Sequence, residues 1–154
     1  MTPSSPKELL ISPIRDGTVI DHITAGEALN VLRILGITGT TSECLSIATN
    51  VTSGRIGKKD IVKIENRELL QDEVDRIALI APQATINIIR NYEVFEKKGV
   101  SIPQHLQGVI RCPNPGCISN TKEPIQSAFE VTKKGLQCEY CDWLITENIA
   151  NYIN

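Results

Sequence analysis

Four cysteines carry the clearest chemistry in this chain. Cys112-Pro-Asn-Pro-Gly-Cys117 is a CxxxxC, and after twenty intervening residues comes Cys138-Glu-Tyr-Cys141, a CxxC. Two short-spaced pairs at this separation match a tetrahedral four-thiolate zinc site, each pair wrapping one side of a single ion. Pro113, Pro115 and Gly116 suit the sharp turn the first pair needs. Four thiolates complete the coordination, so no position is left for water or substrate. The expected role of one Zn2+ is therefore structural. The fifth cysteine, Cys44, stands alone in a strand-like stretch and reads as a packed, unreactive thiol.

The other reactive residue types are weaker signals. His22 follows Asp21, but neighbours on a strand point to opposite faces and do not by themselves make an acid–base dyad. The stretch Ser53-Gly-Arg-Ile-Gly-Lys-Lys59 is glycine-containing and basic, yet lacks the GK[ST] ending of a phosphate loop. It reads as a solvated hairpin tip. Asn50-Val-Thr52 has the form of a glycosylation sequon, which matters only in a secreted protein. No nucleophile elbow, catalytic zinc motif or paired-carboxylate site is present in the sequence.

The elements that must position these groups fall into two parts, 1–103 and 104–154, joined around Gly99 and Pro103. In the first part, Gly17 to Ile23 is β-rich. Thr24 and Glu27 have capping-box spacing. A helix then places Ala28, Leu29, Leu32 and Leu35 on one face and stops at Gly36. Residues 42–51 alternate, with Leu45, Ile47 and Val51 on one side, and Ile61 to Glu65 forms the other arm of a hairpin. Asp72, Glu73 and Asp75 open a second helix with Val74, Ile77, Ala78 and Ala81 inward and Pro82 at its end. Thr85 to Ile89 is again a strand, which Tyr92 to Phe95 either continues or follows as a short edge strand.

Strand, helix, strand, strand, helix, strand is the ferredoxin-like order. The expected fold is α+β: an antiparallel sheet with two helices on one face, then a small all-β zinc ribbon. Phe129, Val131 and Leu136 would form the ribbon strands, with Trp143 as packing residue. Alternation puts Val19 with Asp21, Ile61 with Lys63, and Asn87 with Ile89 on shared faces.

The chain of 154 residues is 41% apolar and 22% charged, a globular composition. Sixteen basic against eighteen acidic residues argue against a polyanion as main partner. No segment has the length and apolarity of a membrane span, and Met1 to Lys7 lacks a secretory pattern, so a cytoplasmic location is expected.

Four segments together resemble the regulatory chain of aspartate carbamoyltransferase. They are Gly17-Thr-Val-Ile-Asp-His-Ile23, Gly57-Lys-Lys-Asp-Ile-Val-Lys-Ile-Glu-Asn66, Ala81 to Val94, and Cys112 to Ser119 with Cys138 to Cys141. The resemblance implies a non-catalytic, two-domain allosteric subunit of pyrimidine biosynthesis. Its N-terminal domain would bind CTP and ATP, with UTP acting alongside CTP. Its zinc domain would dock on the catalytic chain, and regulatory chains would pair as homodimers. The resemblance assigns Ile11, Ser12, Pro13 and Ile14 to the base and Asp21 to the ribose. It puts His22 near the phosphates, Lys63 near base and ribose, and Lys97 against the triphosphate. Val19, Ile61, Asn87, Ile89, Tyr92 and Val94 complete that pocket. Asn114, Tyr140 and Asp142 take the positions facing the catalytic partner.

Three rival readings start from the same residues. A nucleic-acid-binding zinc ribbon fits the cysteine spacing, but only four basic residues follow position 103. A zinc hydrolase would need an open coordination position, which four cysteines deny. A plain scaffold using its open sheet face differs from the regulatory reading only in ligand binding.

Overall fold

The structure is a computed structural model and describes residues 13–37, 44–54 and 57–154. It divides into two compact units, one ending at Ser101 and the other running Ile102–Asn154.

The first unit runs β1 (Gly17–Thr24), α1 (Ala28–Ile34), β2 (Leu45–Ser53), β3 (Gly57–Glu65), α2 (Gln71–Ile80), β4 (Thr85–Arg90) and β5 (Glu93–Gly99). The sheet order is β2-β3-β1-β4-β5, and every pairing is antiparallel. This is the ferredoxin-like arrangement with one more strand added beyond β4. A left-handed turn at Asn91 and Tyr92 separates β4 from β5, so Tyr92 to Phe95 does not continue β4.

One sheet face is the core. Ile20, Ile23, Val62, Ile64 and Ile86 are buried there with Val31, Leu32, Ile77 and Ala78 of the two helices, which touch each other. Burying large aliphatic side chains is the main favourable term holding the helices down. Gly17 opens β1 with φ +145°, and a Cβ there would collide with the Ile64 carbonyl, so the strand can start only with glycine.

Several local expectations are overturned. Leu29 is 71% exposed; Ala28, Val31, Leu32 and Leu35 make the inward stripe of α1. Thr24 does not cap α1 with its side chain, since it still belongs to β1. The Asp60 carboxylate of β3 does so instead, accepting the N–H groups of Gly26 at 2.9 Å and Ala28 at 3.0 Å. Cys44 lies just before β2 and is exposed rather than packed. Residues 42 and 43 lie outside the described residues. In β2, Leu45 and Ile47 pair with Ile64 and Val62, but a bulge after Ala48 shifts the register and pairs Val51 with Lys59. Val51 therefore sits on the opposite face from Leu45 and Ile47.

In the second unit, β6 (His105–Gln107), β7 (Ala128–Thr132), β8 (Gly135–Cys138) and β9 (Leu144–Ile145) form a sheet in that order. Phe129, Leu106, Ile110, Leu136 and Ile145 make its core. Trp143 is 45% exposed and does not act as the packing residue; Phe129, fully buried, does. Among the described residues, no helix is long and apolar enough to cross a membrane.

Candidate functional site

The four cysteines of the second unit converge. Their sulfurs all lie within 4.8 Å of one another, and Cys112, Cys117 and Cys138 are buried. Cys112 to Cys141 is 3.6 Å and Cys117 to Cys138 is 3.7 Å. A disulfide would need about 2 Å. The edge of a tetrahedron of sulfurs at zinc–thiolate distance is about 3.8 Å. The donor set thus fits one zinc ion and leaves no open position.

The backbone builds both sides of this cluster. Cys117 N–H donates to the Asn114 carbonyl at 3.0 Å, and the Asn114 side chain accepts from Gly116 N–H at 3.0 Å. Asn120 donates to the carbonyls of Cys112 and Asn114. On the second pair, Asp142 in left-handed conformation lets Cys138 N–H reach the Trp143 carbonyl. Burial pushes the Cys112 thiol well up. Cys141 feels burial too, but contacts with Asn114 and Trp143 bring it down to about 7. Of the three residues assigned to the partner surface, Tyr140 and Asp142 are exposed, whereas Asn114 is half-buried and shapes the first turn.

The first unit presents the other candidate, on the sheet face away from the helices. Cross-strand pairing lines up Lys63 of β3, Val19 of β1, Asn87 of β4 and Lys97 of β5 in one row. Directly opposed residues share a face. The adjacent row on one side holds Gly17, Ile89 and Val94; on the other, Asp21, Thr85 and Gly99. Ile61 belongs to this face by alternation with Lys63. Tyr92 stands at its edge, 67% exposed, its N–H donating to the Arg15 carbonyl. Pro13 is exposed and Ile14 buried beside the start of β1; Ile11 and Ser12 lie outside the described residues.

The chemistry gathers where β1 bulges. The register shifts between Ile20 and Ile23, and His22 takes φ 57°. The extra residue defeats the opposite-face rule applied to Asp21 and His22. His22 N–H donates to the Asp21 carboxylate at 2.6 Å, and its ring Nδ1 lies 3.9 Å from the same carboxylate oxygen and 3.4 Å from Thr85 Oγ1. The same oxygen holds Lys59 Nζ at 2.8 Å. Burial alone would raise the Asp21 carboxyl, but the Lys59 ammonium and the His22 N–H outweigh it and hold it below the usual carboxylate range. Burial pulls the Lys63 ammonium down from the usual lysine value.

Lys59 escaped the sequence reading, which left it in a solvated hairpin tip; it is fully buried. Extending the period-two pattern of Ile61 and Lys63 back by two residues would have put it on the same face. Asp60 escaped because its partners are distant in sequence.

A closed thiolate cluster, in a chain whose other unit presents a sheet face set with lysines, defines a two-unit metal-binding protein. Comparison with known proteins makes this specific. Residues 9–101 match the allosteric domain of the aspartate carbamoyltransferase regulatory chain, and residues 104–151 match its metal-binding domain. The aspartate carbamoyltransferase regulatory chain of Methanoculleus marisnigri is 77% identical over 145 residues, 94% of each chain. That of Methanosphaerula palustris is 70% identical over the same length and coverage. That of Methanospirillum hungatei is 64% identical over 154 residues, 99% of each. The chain belongs to the aspartate carbamoyltransferase regulatory chain family. It is a regulatory chain and not a catalytic subunit, and its four-cysteine cluster is the family's metal site.

Proposed function

We propose that the open face of the first unit binds nucleoside triphosphate effectors, CTP and ATP, with UTP alongside CTP. The observation that carries this reading is the row Lys63, Val19, Asn87 and Lys97, two cations flanking an amide and an apolar side chain. Lysines act as point charges on a mobile polyphosphate. Ile61, Ile89 and Val94 offer apolar surface to a base, and Asp21 offers an acceptor to ribose hydroxyls. Lys59 Nζ pairs with Asp21 at 2.8 Å and is buried, so its charge supports the phosphate end from beneath the face. The metal-binding unit docks on the catalytic chain through the surface that carries Tyr140 and Asp142. The regulatory chains pair as homodimers and work in the cytoplasm. Zinc is the resident metal, holding the docking unit in shape.

The test is calorimetric titration of the zinc-loaded chain with CTP and then ATP, with duplex DNA as control. Saturable, mutually competitive nucleotide binding with silence toward DNA is expected. Lys63→Ala and Lys97→Ala should each weaken CTP by about tenfold, the worth of one charge-assisted contact, without unfolding the chain. Affinity equal to the parent's would remove that lysine from the site. A DNA signal without a nucleotide signal would favour the nucleic-acid-binding ribbon.

A further inference from the structure

Asp60 is fully buried and accepts three backbone N–H groups from outside its own strand. Gly26 and Ala28 lie at the entry to α1, at 2.9 and 3.0 Å. Asn50 lies in β2, at 2.8 Å. Both neighbours of β3 bulge at this level of the sheet. β1 shifts register between Ile20 and Ile23, and β2 shifts between Ala48 and Val51. Each bulge carries one left-handed residue, His22 at φ 57° and Asn50 at φ 55°. Left-handed backbone at non-glycine residues is strained and persists only where its surroundings fix it. The Asp60 carboxylate supplies that fixation directly to Asn50. To His22 it supplies it through the exit of β1, whose continuation at Gly26 it holds.

Adjacent strand residues face opposite ways. Asp60 therefore points to the helix side, while Lys59, one residue before it, points to the open face and meets Asp21. We propose that Asp60 is the positioning residue of the phosphate end of the nucleotide face, fixing the two bulges and thereby setting His22 at that face with the buried Lys59–Asp21 pair beneath it. This rests on the nucleotide-binding reading above. It assigns a role to a residue that touches no ligand.

The test compares CTP with cytidine on the zinc-loaded full chain and on Asp60→Asn. The amide replaces a charged acceptor of three N–H groups by a neutral one. CTP affinity should fall about tenfold or more while cytidine affinity holds, so the gain from the phosphates collapses. A residue that only stabilised the fold would lower both together. A folded Asp60→Asn chain with an unchanged CTP-to-cytidine ratio overturns the role of Asp60 and leaves the nucleotide reading intact. Failure of the parent chain to bind CTP overturns both. Should Asp60→Asn not fold, amide hydrogen exchange of the parent decides. With CTP, the Gly26, Ala28 and Asn50 amides should gain protection while α2 amides stay as they were. No change at those three amides overturns the proposal.

Discussion

Removing the metal, by chelation or by Cys138→Ser, is expected to unfold residues 102–154 and to leave the sheet of the first unit intact. The second unit buries six large apolar side chains and has five or fewer residues in any regular element. A core of that size does not offset the entropy of ordering the segment. A structural zinc supplies about 10 kcal/mol or more to the folded state of such a domain. A thiol free of metal is mostly protonated at neutral pH, and in the folded unit burial pushes Cys112 further up. Zinc binding therefore releases protons, and its affinity falls as pH falls. The measurement is zinc content together with amide exchange. Amides of β7 and β8 should exchange rapidly once zinc is gone, while those of β1 and β3 stay protected. Protection of β7 and β8 in a zinc-free chain would show that packing, not metal, holds the unit.

The parts of the molecule legible in the sequence are those governed by short-range pattern. Val74, Ile77, Ala78 and Ala81 repeat at helical spacing and are all buried. Val19 with Asp21, and Ile61 with Lys63, follow the two-residue period and do share a face. The thiolate cluster is legible because coordination demands fixed residue types at short spacing. What escaped depends on contacts far apart in the chain. Thr24 offered a local cap, yet the helix entry is held by Asp60, a carboxylate on β3, 32 residues further along the chain. A bulge is one residue inserted against a partner strand, so nothing near His22 or Asn50 marks it. Asparagine and histidine tolerate the left-handed region better than most residues, which permits the bulges without announcing them. Trp143 lies between Cys141 and the two-residue β9 and is 45% exposed, while Phe129 on the longer β7 takes the centre.

The pair Asp21 and Lys59 should respond asymmetrically to mutation. The Lys59 side chain is 1% exposed and that of Asp21 is 22% exposed. Asp21→Asn leaves a buried ammonium with no carboxylate, whereas Lys59→Met leaves a carboxylate that water can reach. Stranding a buried charge costs about 3 kcal/mol, while replacing it with an apolar side chain of similar volume is far cheaper. Asp21→Asn should therefore destabilise the first unit by about 3 kcal/mol, and Lys59→Met by about 1 kcal/mol. Combining Lys59→Met with Asp21→Asn should recover most of the difference, since no charge is then stranded. The pH dependence gives a second readout. The folded carboxyl of Asp21 is held below its unfolded value near 4, so the folded state binds fewer protons in that range. Its stabilisation is complete above the unfolded value and is lost as pH falls through the lowered folded one. Asp21→Asn should flatten that acid limb, and Lys59→Met should do so too, because the partner that lowers the carboxyl is gone. Urea unfolding followed at amides of β1 and β3, at neutral and acid pH, measures both effects. Equal losses for the two single variants would mean that Lys59 is hydrated in solution and that its burial does not set the energetics of this face.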